Sequence, residues 1–143
     1  MDHTDHAETD LSFTLAADPE NVRRARDQVA SRAETLGLSP AGVDDLKTIV
    51  SEACANVVRH AYPDDATERP MEVEMGEKDG DLRLVIRDRG TGIRPPIGAR
   101  PSSLRLGFLL IGSLADCLQL RSEKGHGTEL LMTVPLARQA PTV

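Results

Sequence analysis

The sequence predicts an α+β fold, a two-layer α/β sandwich in which a mixed, mostly antiparallel sheet carries helices on one face. Three observations lead there. Two helix-start signals follow one another, Asp18-Pro19-Glu20 and Ser39-Pro40, and each opens a stretch with apolar residues at helical spacing. Several short segments alternate apolar and polar residues as half-buried strands do, and one pair of them flanks an Asp-Gly turn. The resulting order, β-α-α-β-β-loop-α-β-β, joins strands mainly to strands, which suits an antiparallel or mixed sheet.

Residues 1–10 are polar and read as a flexible terminus. In residues 11–15, Leu11, Phe13 and Leu15 alternate with Ser12 and Thr14, which makes a strand. Asp18 is the expected N-cap of a first helix, with Pro19 at its first position. That helix runs to about Leu36, buries Val22, Ala25, Val29 and Ala33, and stops at Gly37. The second helix runs from Ser39-Pro40 to about Ala61 and buries Val43, Leu46, Val50, Ala53 and Val57. Tyr62-Pro63-Asp64-Asp65 is a turn. Residues 71–75 and 82–86 form a hairpin across Lys78-Asp79-Gly80-Asp81, and its second strand ends at Asp88. Residues 94–105 hold three prolines and one glycine and read as a surface loop or lid. A short helix is expected from about Leu106 to Ala115, then a hairpin of residues 117–122 and 128–135. One domain, 11–136, therefore precedes a tail of residues 137–143.

With 143 residues and a 39% hydrophobic fraction, the chain can bury a core without a disulfide or metal staple. Phe13, Tyr62 and Phe108 are its only aromatic residues, so the core is aliphatic and the composition argues against base stacking on exposed rings, as in single-strand nucleic-acid binders. A net charge of −6 argues against direct nucleic-acid or anionic-membrane binding. The charge is uneven: Arg83, Arg87, Arg89, Arg94, Arg100 and Arg105 share a window with only Asp81 and Asp88. That window reads either as an ordinary exposed face or as a basic rim for phosphates or an acidic partner. Cys54 and Cys117 form no C-x-x-C and read as core residues of a reducing compartment. With no apolar run near 18 residues and no signal-peptide pattern, a cytoplasmic protein is expected.

The candidate site begins on the second helix. Glu52 and Asn56 stand four residues apart, so they share a face with Cβ atoms about 6 Å apart. Asp45, Thr48, Glu52, Asn56 and Arg59 form a polar stripe beside the apolar one, which puts Glu52 at the edge of the core. A carboxylate there suits proton acceptance from a nucleophile, and the Asn56 amide oxygen suits a hard cation such as Mg²⁺. Downstream come three glycine-marked turns: Asp88-Arg89-Gly90-Thr91-Gly92, Leu106-Gly107-Phe108 and Gly125-His126-Gly127-Thr128. Asp88 at a strand end suits an exocyclic amine such as that of adenine, with Gly90 and Gly92 leaving room for the ring. Gly107 at a helix mouth suits phosphates.

In this order the motifs resemble the ATPase domain shared by histidine kinases, gyrase, Hsp90 and MutL, and more narrowly the anti-sigma-factor serine kinases of the RsbW and sporulation type. Residues 52–62 are similar to that family's N-box, Asp88-Arg89-Gly90-Thr91-Gly92-Ile93 to its first glycine box, residues 106–111 to most of the second, and Gly125-His126-Gly127-Thr128 to the final Gly-Thr element. The resemblance spans residues 11–136. It implies a Bergerat (GHKL) sandwich, ATP or ADP with Mg²⁺, and transfer of the γ-phosphoryl to a serine of an anti-anti-sigma (STAS-type) antagonist. It also implies a sigma factor as binding partner and a homodimer. By position, Glu52 is the implied base or water-orienting group, Asn56 the Mg²⁺ ligand and Asp88 the adenine acceptor. Gly90, Gly92 and Gly107 shape the pocket, and Thr128 supports the base side. Arg59 falls where histidine kinases carry a basic residue near the phosphates, and His60 where the anti-sigma kinases carry histidine. One departure is Arg105, where the family's second box usually opens with glycine; it either distorts the lid or reaches a phosphate itself. The alternatives are a nucleotide-holding partner switch with little kinase activity, and a histidine-kinase-like ATPase domain.

Overall fold

The computed structural model describes residues 8–90, 117–123 and 127–136. The elements are β1 (Glu8–Ala16), α1 (Pro19–Thr35), α2 (Pro40–His60), β2 (Pro70–Lys78), β3 (Asp81–Asp88), β4 (Cys117–Glu123) and β5 (Gly127–Pro135). The expected loop at 94–105, the helix at 106–115, the tail and residues 1–7 lie outside the described residues. β1 starts at Glu8, so residues 8–10 belong to the sheet rather than to a loose terminus. The register shifts between Thr9 and Leu11, leaving Asp10 as an extra residue. That irregularity breaks the alternation that marks the rest of the strand.

The five strands lie in the order β1-β2-β3-β5-β4. All four pairings are antiparallel, which resolves the expected mixed sheet. β2 and β3 close through Asp79 and Gly80, with φ of 55° and 84°. Positive φ at both central residues is the demand of the turn whose twist suits a two-residue hairpin, and Asp-Gly meets it. The β4–β5 hairpin does not simply extend the meander. Its second strand inserts beside β3, so Asp88 faces Thr128 across the ladder.

Alternate residues of the strands form one apolar face: Met71, Val73 and Met75, then Leu82, Leu84 and Ile86, then Leu130, Met132 and Val134. It belongs to one core with the helical stripes. On α2 the five expected residues are buried, together with Ile49 and Cys54. On α1, Ala25, Val29 and Ala33 are buried, but Val22 is only half-buried and Asn21 goes inside instead. The amide of Asn21 donates to the Ala16 carbonyl at 2.9 Å, which ties the start of α1 to the end of β1. The core is aliphatic, as composition requires, and each fully buried Leu, Ile or Val contributes about 1.5–3 kcal/mol. Burial pushes the Cys54 thiol up to about 12, so it is an inert core residue.

The two helix starts differ. Ser39 accepts the Gly42 N–H at 3.1 Å and caps α2 as expected. Asp18 occupies the N-cap position of α1 without a side-chain cap bond. Its carboxylate is taken by Arg69 at 2.8 Å, a partner from the chain entering β2. The basic window changes meaning as well. Arg87 bonds to Glu72, Glu74 and Glu129 on the neighbouring strands, and Arg89 bonds to Glu72 at 2.7 Å. These bonds hold the Glu72 carboxyl below its ordinary range, the Arg89 contact most of all. Arg87 and Arg89 are thus neutralised by acids of the sheet, which favours the ordinary-face reading of the window over the basic rim for these two.

Candidate active site

Glu52, Asn56 and Arg59 line one side of α2. The Arg59 guanidinium Nη2 donates to Asn56 Oδ1 at 3.1 Å and to Glu52 Oε2 at 3.4 Å. The Glu52 side chain is 26% exposed and that of Arg59 44%, so the stripe stands at the core edge. An ion pair this open contributes about 0.2–1 kcal/mol, little enough to yield to a phosphate. In this arrangement Arg59 is shared between Glu52 and Asn56 along the helix.

Asn56 is only 5% exposed. Its Nδ2 is buried and finds no hydrogen-bond partner among the described residues. An amide in so dry a place gains about 1–3 kcal/mol from a partner, so the position favours a ligand group that can accept from Nδ2. Its oxygen and the Glu52 carboxylate already surround one cationic group. Among the described residues no cluster of three or more His, Cys, Asp or Glu could hold a metal. A small dication that keeps waters and shares a ligand's phosphates needs only one or two protein oxygens. The described residues fit Mg²⁺ delivered with a phosphate chain rather than a standing metal centre.

Asp88 ends β3 and is 6% exposed. Its Oδ1 accepts the Gly90 N–H at 2.9 Å and the Thr128 N–H at 3.3 Å. Nothing among the described residues donates to Oδ2. Burial pushes the Asp88 carboxyl above its ordinary value, and the two N–H groups pull it partly back. The folded chain thus holds this proton more tightly than the unfolded one. Stability from that source is fully present below the ordinary carboxylate value of 3.8 and is lost as pH rises through the raised value. A ligand that donates to the ionised oxygen has the opposite preference. Its affinity is expected to fall with pH in the same window, which titration calorimetry across that window will read.

Gly90 and Gly127 each stand where backbone approaches too closely for a side chain. A Cβ on Gly90 would overlap the carbonyl of Ala61, just past the end of α2. Gly90 therefore lets the helix end close onto the β3 end, where room for a ring was expected. Gly127 has φ of 90°, and a Cβ there would overlap the Asp88 carbonyl. Its closeness sets Thr128 beside Asp88. Sequence reasoning passed over Gly127 although it precedes Thr128 in the final motif. It also passed over Tyr62, read as a turn residue, whose hydroxyl accepts the Arg89 N–H at 2.9 Å. His60 ends α2 exposed and makes no hydrogen bond to the other site residues among those described. Gly92, Arg105 and Gly107 lie outside the described residues.

Of the four buried polar side chains among the described residues, Asn56, Asp88 and Thr128 belong to this site and only Asn21 does not. A buried amide and carboxylate with unclaimed valences, joined by the Ala61–Gly90 contact, suit a ligand carrying an amine donor at one end and phosphates at the other. Residues 15–134 match the family model of the histidine kinase-like ATPase domain. An anti-sigma F factor from Clostridium acetobutylicum is 31% identical over 134 residues, covering 87% of this chain and 92% of its own. The serine-protein kinase RsbW of Bacillus thuringiensis is 27% identical over 143 residues, covering 90% and 86%. The crystal structure of the RsbU and RsbW domains of a Mycobacterium tuberculosis protein shares the fold with a TM-score of 0.69 at 23% identity, over 87% of this chain and 31% of that longer one. The chain belongs to the histidine kinase-like ATPase domain family, with anti-sigma F factors among its relatives.

Proposed function

We propose that this protein is an ATP-dependent serine kinase acting as an anti-sigma factor. It binds a sigma factor, and as a homodimer it phosphorylates a serine on an anti-anti-sigma antagonist of the STAS type, using Mg²⁺. The observation that carries the reading is the buried Asn56, which holds its Oδ1 toward a cationic group one turn from the Glu52 carboxylate. ATP with Mg²⁺ supplies a transferable γ-phosphoryl group and neutralises its charge. Glu52 accepts the proton of the serine hydroxyl as the Oγ–phosphorus bond forms and the bond to the β-phosphate oxygen breaks. Asn56 Oδ1, which Arg59 contacts at 3.1 Å, would be the protein oxygen that holds Mg²⁺. Arg59 would meet a phosphate, and Asp88 would accept the adenine amine on Oδ2. No helix among the described residues is long and apolar enough to cross a membrane.

Incubation with labelled ATP and a candidate antagonist is the direct test: phosphoserine on the antagonist supports the reading, and a tight complex without transfer refutes the kinase half. A second expected outcome separates binding from stability. Asp88→Asn keeps an oxygen for the Gly90 and Thr128 N–H groups but removes a poorly solvated charge. Thermal unfolding at neutral pH should be unchanged or raised, while ADP affinity falls about 10–150-fold, or ~1.5–3 kcal/mol. Unchanged affinity by calorimetry would remove Asp88 from the base-binding role.

A further inference from the structure

We infer that Tyr62 is a positioning residue for the nucleotide base, and that its hydroxyl joins the Glu52–Asn56 helix to the strand end that presents Asp88. This inference rests on the nucleotide reading above and adds a residue to it. Tyr62 stands two residues beyond α2, half-buried. Its hydroxyl donates to the Pro70 carbonyl, where β2 begins, and accepts the Arg89 N–H, one residue beyond β3. β2 and β3 meet at that level, with Met71 opposite Asp88. Burial raises the phenol's pKa, so it keeps the proton that it gives to Pro70 and offers its lone pair to Arg89.

The neighbouring contacts give that bond its consequence. Gly90 closes on the Ala61 carbonyl, and the Arg89 side chain is drawn to Glu72. Residues 89 and 90 are therefore held by the end of α2 on one side and by β2 on the other. The Gly90 N–H is one of the two donors to Asp88 Oδ1. A turn of the peptide at residues 89–90 would withdraw that donor and rotate the carboxylate that is to meet the amine. The Arg89 N–H is on an exposed residue, so water replaces the lost phenol acceptor and the fold tolerates its removal. Orientation is not replaced so easily. The role of Tyr62 is thus geometric, acting through Arg89 and Gly90 on Asp88.

Tyr62→Phe in the full chain tests this, with calorimetry against Mg²⁺-ADP, Mg²⁺-IDP and Mg²⁺-tripolyphosphate. IDP lacks the exocyclic amine, and tripolyphosphate lacks the base altogether. The expected result is an ADP affinity lower by about tenfold, a reduced preference for ADP over IDP, and tripolyphosphate binding as in the wild type. Equal weakening of ADP and tripolyphosphate would overturn the proposal in favour of a general structural role, as would an unchanged ADP affinity. If the wild-type protein itself binds no ADP, the nucleotide reading fails, an outcome distinct from either. Should Tyr62→Phe not fold, hydrogen exchange on the wild type carries the test. The Arg89 amide should exchange more slowly with ADP bound, and unchanged exchange would overturn the inference.

Discussion

Glu52→Gln is expected to bind ADP nearly as the wild type does while phosphorylating the antagonist about 10²-fold more slowly, or worse. The substitution keeps the length of the side chain and an oxygen able to accept from Arg59, now 3.4 Å from Glu52 Oε2. It removes the charge and the capacity to take the serine proton. Phosphoryl transfer runs through a loose transition state in which positioning and charge stabilisation matter most, yet a placed base still adds about 10²–10⁴-fold. Because Glu52 is a quarter exposed and its ion pair is an open one, its loss should cost the fold little. Single-turnover transfer with a saturating antagonist reads the chemical step. Transfer at the wild-type rate would show that Glu52 is not the base, and the kinase mechanism proposed here would fall with it. If the wild type and the variant are equally inert while the antagonist still binds, the protein is a partner switch.

The largest effect on the fold is expected from Gly90→Ala. The added methyl meets the Ala61 carbonyl, which is backbone at the end of a helix packed into the core. A side chain in that place would rotate away, but here α2 or the end of β3 must shift. Overpacking typically costs 1–3 kcal/mol, and a backbone neighbour puts this case near the top, at about 3 kcal/mol. For a domain of this size that lowers Tm by roughly 10 °C. The same shift removes the Gly90 N–H from Asp88, so ADP affinity should fall with stability rather than independently of it. Urea unfolding and calorimetry on one preparation test both parts. A variant that unfolds and binds as the wild type would show that Gly90 does not brace the helix end.

Much of the site was legible because it is helical. Glu52, Asn56 and Arg59 lie three and four residues apart, and that spacing alone puts them on one side of α2, where the structure joins them through the guanidinium. Asp88 was legible as a strand end followed by glycines. The purpose of Gly90 was not, because its neighbour is a carbonyl 29 positions away in a different element. Tyr62 was hidden for the same reason: a turn residue by local rules, it bonds to the head of one strand and the end of another.

The sequence by itself determined the order of the described elements, the inward stripe of α2 and the turn at Asp79-Gly80, because a period of 3.6 or 2 and a positive φ are properties of a few adjacent residues. The tertiary structure alone decided that β5 lies beside β3, that Thr128 thereby feeds Asp88, and that Arg87 is neutralised by Glu72, Glu74 and Glu129. It likewise decided that Asp18 pairs with Arg69 instead of capping its own helix. Periodicity says which side of an element faces inward and carries no label for the element that will cover it. Partners 13 to 51 residues apart are chosen by how the sheet and the helices close around one core, and that closure is where the two halves of the site meet.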